Sequence, residues 1–265
     1  MNFHNYKTDL RGILLSSLAI LKSCEKNAEM SALSQDEDYP KEYKAPIDNL
    51  LNDFLLNSLS RFGKPILSEE SSLQLLKSNP FPGWIIDPLD GTYNFAKQIG
   101  PCSISIAYIN SAGTIEFGAM ADYPSGNIYF GGKDYGAYIG NRPISVSKEC
   151  SIDKALLYTG IPSRNDVTNN ECLMQLFTRV SKVRMLGSAS VSLANVAQGL
   201  GEVYQETGIM LWDVAAGLAI LEGAGGAFSI TPMDETAGTL GPLHVIATNG
   251  LIPVSTFNKG SRWSM

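Results

Sequence analysis

The sequence predicts an α+β fold of two lobes, with the pattern changing near residue 150. Three observations carry that expectation. Apolar residues recur at helical spacing through the first sixty positions; a series of short strands separated by Gly, Pro, Ser and Asn turns follows; and beyond Cys150 strands alternate with helices. With 265 residues, 44% of them apolar, the chain is long enough to bury a substantial core.

Leu10, Ile13, Leu14, Ile20 and Leu21 predict an amphipathic helix from about Thr8 to Asn27. Ser34 to Lys44, polar and acidic, reads as a surface loop. Pro46 then opens a second helix whose buried stripe is Ile47, Leu50, Leu51, Phe54 and Leu55. Trp84-Ile85-Ile86 is a short buried-strand signal, and strands are predicted at Cys102 to Ile109, Glu116 to Tyr123, Asn127 to Gly132 and Tyr135 to Ile139. Their close spacing favours an antiparallel sheet in an N-terminal lobe, residues 1–150. The C-terminal lobe, residues 151–265, is expected to be layered α/β. It reads as a strand at Ala155 to Ile161, a helix at Ser188 to Gln198, a strand at Val203 to Gln205 and a helix at Trp212 to Glu222.

The formal charge of -6 argues against a general nucleic-acid binder, whose affinity comes from clustered Lys and Arg. An anionic substrate would have to be met locally, by metal ions for example. Four cysteines without paired spacing suggest reduced thiols rather than a zinc site or disulfide framework. His4, Lys7 and Asp9 precede any apolar run, and no stretch approaches the length of a membrane span, so a soluble cytoplasmic protein is expected.

The stretch Trp84 to Phe95 holds the most chemistry: an apolar strand runs into Asp87 and Asp90, three residues apart. Pro88 restricts the backbone between them and Gly91 permits a tight turn, so both carboxylates could sit on one side of a rigid loop. An all-oxygen ligand set suits Mg²⁺ or Mn²⁺ rather than zinc. The two histidines, His4 and His244, lie far from this motif in sequence, which leaves water activated by metal as the natural nucleophile. Gly91 and Thr92 are expected to start a helical turn whose free N–H groups can hold phosphate. A turn or a helix cap would use the same residues, and that reading stays open for Asp87 alone.

Asp87-Pro88-Leu89-Asp90-Gly91-Thr92-Tyr93-Asn94-Phe95 resembles the first signature of the inositol monophosphatase family, and Trp212-Asp213-Val214-Ala215-Ala216-Gly217 with Ala224-Gly225-Gly226 resembles the second. Ser68-Glu69-Glu70-Ser71 looks like the family's Gly-Glu-Glu-Ser turn. The resemblance implies an αβαβα sandwich of the inositol monophosphatase and fructose-1,6-bisphosphatase type. It implies that Glu69, Asp87 and the Leu89 carbonyl hold one metal ion while Asp87, Asp90 and Asp213 hold a second, with a third position open. Glu70 competes with Glu69, and family order favours Glu69. Thr92 and Asp48 would position the attacking water, although Lys44-Ala45-Pro46-Ile47-Asp48 lacks the threonine usual in the family, and Asp48 also reads as a first-turn helix acid. Gly91, Ser188, Ala189 and Glu206 would contact substrate, with Ser188 equally readable as an N-cap and Glu206 as an exposed acid between strand and helix.

The activity so implied is hydrolysis of a small phosphate ester by a Mg²⁺-dependent, lithium-sensitive homodimer, with Mn²⁺ able to substitute. Inositol monophosphate or a related sugar phosphate leads as substrate. Fructose 1,6-bisphosphate and a 3′(2′),5′-bisphosphate nucleotide are the alternatives, for which Lys97, Arg164 and Arg184 are the cations to inspect. A catalytically silent regulatory or scaffold protein is the non-enzymatic reading; it would be supported by loss of a ligand carboxylate.

Overall fold

The structure is a computed structural model that describes residues 3–35, 43–70, 81–161 and 171–258. The first helix, α1 (Phe3–Cys24), starts and ends earlier than its apolar spacing predicts, and it buries Leu10, Ile13, Leu14 and Leu21. The segment expected to be a loop has short paired strands at its two ends, β1 (Ser34–Gln35) and β2 (Tyr43–Lys44); residues 36–42 between them lie outside the described residues. Pro46 does open α2 (Pro46–Ser60), where the missing proline N–H has no intrahelical partner to lose. Its buried stripe is Ile47, Leu51, Leu55 and Leu59, whereas Leu50 faces solvent.

A seven-stranded sheet follows, composed of β3 (Ile66–Ser68), β4 (Gly83–Asp90), β5 (Cys102–Ile109), β6 (Ile115–Tyr123), β7 (Ile128–Gly132), β8 (Gly136–Ile139) and β9 (Arg142–Pro143) in sequence order. Only the β3–β4 pair is parallel; the others are antiparallel, as their short connections require. Between β4 and β5 the chain turns through α3 (Thr92–Lys97). The second sheet contains β10 (Leu156–Thr159), β11 (Lys182–Arg184), β12 (Val203–Ile209), β13 (Ala227–Pro232) and β14 (Leu243–Thr248), in the order β11-β10-β12-β14-β13. It is mixed, with β10 parallel to both neighbours and β14 antiparallel to both of its own. Helices α4 (Glu171–Arg179), α5 (Ala189–Ala197), α6 (Leu211–Gly223) and α7 (Ser255–Asn258) complete the chain.

Burial orders these elements into five layers, α, β, α, β, α. Helices α1 and α2 cover one face of the larger sheet through Leu14, Leu51, Trp84, Ile106 and Phe117. Its other face meets α5 and α6, which also cover the second sheet, so that Ile85, Met120, Leu193, Val214, Leu218, Tyr204 and Val245 share one core. Leu176 of α4 and Phe257 of α7 close the far side over Leu157 and Val203. Helix α6 is apolar around almost its whole circumference, which is what a helix sandwiched between two sheets needs. No helix among the described residues is long and apolar enough to cross a membrane.

Candidate active site

Three acidic residues converge where β3, β4 and α6 end against one another. Glu69 follows β3 directly, Asp87 lies in β4, and Asp213 occupies the third position of α6. One carboxylate oxygen from each falls within 4.8 Å of the others. Asp87 Oδ1 accepts the Leu89 N–H at 2.9 Å, while Asp87 Oδ2 is buried with no hydrogen-bond partner among the described residues. A buried carboxylate oxygen without a donor is costly, and a cation held there would satisfy it. Burial, then the neighbouring charges of Glu69, Asp90 and Asp213, push the Asp87 carboxyl well above the usual range. Burial and Glu70 push Glu69 to about 7. These oxygen donors fit a hard divalent cation, whose charge would relieve that repulsion.

Asp90 closes β4 and lines the same cavity, and its Oδ2 is heavily solvated by protein. It accepts hydrogen bonds from Ser188 Oγ at 2.7 Å, Ser190 N at 2.8 Å and Ser190 Oγ at 2.5 Å. Ser103 Oγ backs Ser190 through a further short hydrogen bond, with Ser103 donating because Ser190 donates to the carboxylate. Burial nonetheless raises the Asp90 carboxyl, and the seryl donors oppose it. Ser188 is also the N-cap that the sequence allows, for its Oγ accepts the Val191 N–H at 3.4 Å and so caps α5.

Gly91 caps α3 with φ of +93°, and a Cβ there would meet the Gly187 carbonyl at 3.0 Å, so glycine is needed on both counts. Thr92 Oγ1 lies 2.8 Å from Asp48 Oδ1 and 3.1 Å from the Leu89 carbonyl. Asp48 Oδ2 accepts the Ala45 N–H at 2.6 Å. Asp48 is thus a first-turn helix acid and a partner of Thr92 at the same time, although the family's threonine is absent. Burial pushes its carboxyl up to about 6 against the pull of those two donors.

The acids open into a cavity of ≈ 420 Å³ that also takes in Leu89, Gly91, Thr92, Ser188, Ala189 and Glu206. Glu206 is inside β12 rather than in a loop between strand and helix; the strand runs four residues past its predicted end. Its Oε2 accepts the Tyr204 hydroxyl at 2.9 Å, and burial pushes the carboxyl to about 7. Glu70, the competitor of Glu69, is turned to Lys44 instead. It receives Lys44 Nζ at 2.8 and 3.0 Å, which raises the Lys44 ammonium although burial opposes that. Lys44 lines the cavity, whereas Lys97 and Arg184 do not; Arg164 and Ser71 lie outside the described residues. His244 is tied to Thr207 by a 2.9 Å hydrogen bond between β14 and β12, and burial lowers it to about 4. Sequence reading missed Ser190, Tyr204 and Lys44. The first two belong to ordinary helix and strand patterns, and nothing local marks their partners.

The chain is thus a five-layered αβαβα sandwich with a carboxylate cluster, a donor set suited to a hard metal ion, at the junction of its two sheets. The chain belongs to the inositol monophosphatase family, whose model matches residues 13–259. It is 38% identical over 194 residues to an inositol-1-monophosphatase of Synechocystis, a match covering 71% of this chain and 65% of that relative, slightly under two thirds of its length. Human inositol monophosphatase 2 is 31% identical over 211 residues, 76% of this chain and 70% of that one. The solved inositol monophosphatase structure from Anabaena superposes with a TM-score of 0.78 at 29% identity, covering 97% of this chain and 96% of that one.

Proposed function

We propose that this chain is a Mg²⁺-dependent phosphomonoesterase that hydrolyses a small phosphate ester, inositol monophosphate or a related sugar phosphate. The observation that carries this reading is the orphaned, buried Asp87 Oδ2 between the Glu69 and Asp213 carboxylates. Glu69, Asp87 and the Leu89 carbonyl would hold one ion, and Asp87, Asp90 and Asp213 a second. Divalent cations held there supply positive charge to a phosphate and acidify water. Thr92, by donating its hydroxyl proton to Asp48, keeps its oxygen lone pairs turned outward as an acceptor that can orient an incoming water. Gly91 and the start of α3 offer backbone N–H groups to the phosphate. Glu206, fixed by Tyr204, offers a carboxylate oxygen to a hydroxyl of the alcohol part.

A single phosphate suits the cavity better than two. Among the described residues Lys44 is the one basic side chain lining it, and Glu70 already holds that ammonium. The test is phosphate release from inositol 1-phosphate, fructose 1,6-bisphosphate and 3′-phosphoadenosine 5′-phosphate, with Mg²⁺ or EDTA, for the parent chain, Asp87→Asn and Asp90→Asn. Turnover is expected with Mg²⁺, best on the monophosphate, falling by at least a hundredfold in EDTA and in both variants. Turnover that survives EDTA and both substitutions would remove the metal site from the mechanism.

A further inference from the structure

The acid floor of the cavity contrasts with its rim. Tyr43 and Tyr93 both line it, and each keeps a large exposed fraction, 41% and 44%. Their ring centroids are 5.3 Å apart with planes inclined at 60°, so the pair forms an open aromatic corner rather than a closed stack. Ile161 and Met185 line the same cavity and are also among the exposed large apolar residues. Tyr93 sits one residue after Thr92 on α3, and Lys44, next to Tyr43, is anchored by its bond to Glu70. Both rings are therefore attached to elements that already hold the floor of the site.

A fully hydroxylated alcohol gains little from such a rim. Its hydroxyls need hydrogen-bond partners, and exposed Tyr, Ile and Met carbons offer none beyond the two phenol groups. A planar aromatic ring gains from both inclined rings, one by offset stacking and the other by an edge-to-face contact. Base–aromatic stacking is a sequence-tolerant attraction of this kind and needs no polar readout.

We propose that Tyr43 and Tyr93 are specificity-determining residues that favour, among sugar phosphates, monoesters whose alcohol part carries a planar aromatic ring over those without one, a nucleoside monophosphate being the representative. The inference rests on the phosphomonoesterase reading above and narrows its substrate class. The phosphate is placed at the carboxylate floor, the sugar passes Glu206, and the aromatic base occupies the tyrosine corner.

The test uses a matched pair of esters, adenosine 5′-monophosphate and ribose 5-phosphate, which share the ribose and its phosphate while only the former carries the ring. Inositol 1-phosphate is the polyol reference. With Mg²⁺, kcat/KM for the adenosine ester is expected to exceed that for ribose 5-phosphate about tenfold. Tyr93→Ala and Tyr43→Ala are expected to collapse that ratio towards one through KM, while Tyr93→Phe retains it and activity on inositol 1-phosphate stays within about twofold. Circular dichroism shows whether the alanine variants keep their fold, and the phenylalanine variant carries the test if they do not. A ratio near one in the parent chain, or one unchanged by Tyr93→Ala, overturns the proposal while hydrolysis of inositol 1-phosphate still upholds the parent reading. Sedimentation provides the other adverse outcome: if both tyrosine substitutions change the oligomeric state and leave the ratio alone, the rim is a contact between copies of the chain. Absence of Mg²⁺-dependent release from all three esters would instead count against the phosphomonoesterase reading itself.

Discussion

Tyr204 is fully buried and spends its hydroxyl on Glu206 Oε2. That bond stabilises the carboxylate form, whereas burial, the larger effect, destabilises it and sets the Glu206 carboxyl near 7. Tyr204→Phe removes the donor and leaves the burial, so the carboxyl rises further and the carboxylate population at pH 7 falls. One unit of pKa is worth about 1.4 kcal/mol. If the carboxylate is the form that accepts a substrate hydroxyl, a one-unit rise should raise KM at pH 7 about fivefold in Tyr204→Phe with kcat nearly unchanged, and the parent value should return by pH 9. Equal KM values for the two proteins at pH 7 would disprove the role. Glu69, Asp87 and Asp213 were legible in the sequence because metal chemistry restricts residue type and their neighbours are distinctive. Ser190 was not, because it reaches Asp90 across 100 positions of chain and lies in an unremarkable apolar helix.

Helix α6 carries Asp213 to the other acids, so its seat on the larger sheet sets the geometry of the site. That seat is made of glycines. A Cβ on Gly118 in β6 would run into the Ala216 backbone, 2.7 Å from its Cα, and one on Gly131 in β7 would lie 2.7 Å from the Ile220 Cα. Overfilling a packed interface costs about 1–3 kcal/mol. Gly118→Val should therefore destabilise the protein by at least that amount in urea unfolding and weaken divalent-cation binding, because α6 must move. The control is Gly12→Ala, exposed within α1 with nothing near its Cβ, which should stabilise by about 0.5–1 kcal/mol. Unchanged cation affinity in a folded Gly118→Val protein would show that the seat does not position Asp213. At this scale β4 to β8 of the larger sheet were readable from turn residues and apolar runs. Strands β3, β9, β11, β13 and β14 and helices α4 and α7 were not predicted: they are short or lie outside the motifs, and β14 becomes an interior strand only through partners on either side.

Across the whole molecule, the two sheets meet through α5 and α6, and the acids gather at that junction with Lys44, held by Glu70, as the one basic side chain lining the cavity among the described residues. Glu69 and Glu206 are raised from 4.5 to about 7, and Asp48 from 3.8 to about 6. A carboxyl with a folded pKa above its unfolded value binds more protons folded than unfolded, so stability falls as pH rises between the two. In EDTA the thermal midpoint should thus decline from pH 5 to pH 8, most of the loss falling between about pH 4.5 and 7. Cation binding requires the same carboxylates deprotonated, so Mg²⁺ should stabilise more at pH 8 than at pH 5. At a hundredfold excess over Kd the gain is about 2.7 kcal/mol, or roughly 5 °C for a chain of this size. Scanning calorimetry at the two pH values, with EDTA or with Mg²⁺, reads both slopes. A midpoint in EDTA that rises from pH 5 to pH 8, or a Mg²⁺ increment no larger at pH 8, would mean that the acid cluster is neither strained by its own charge nor relieved by a cation.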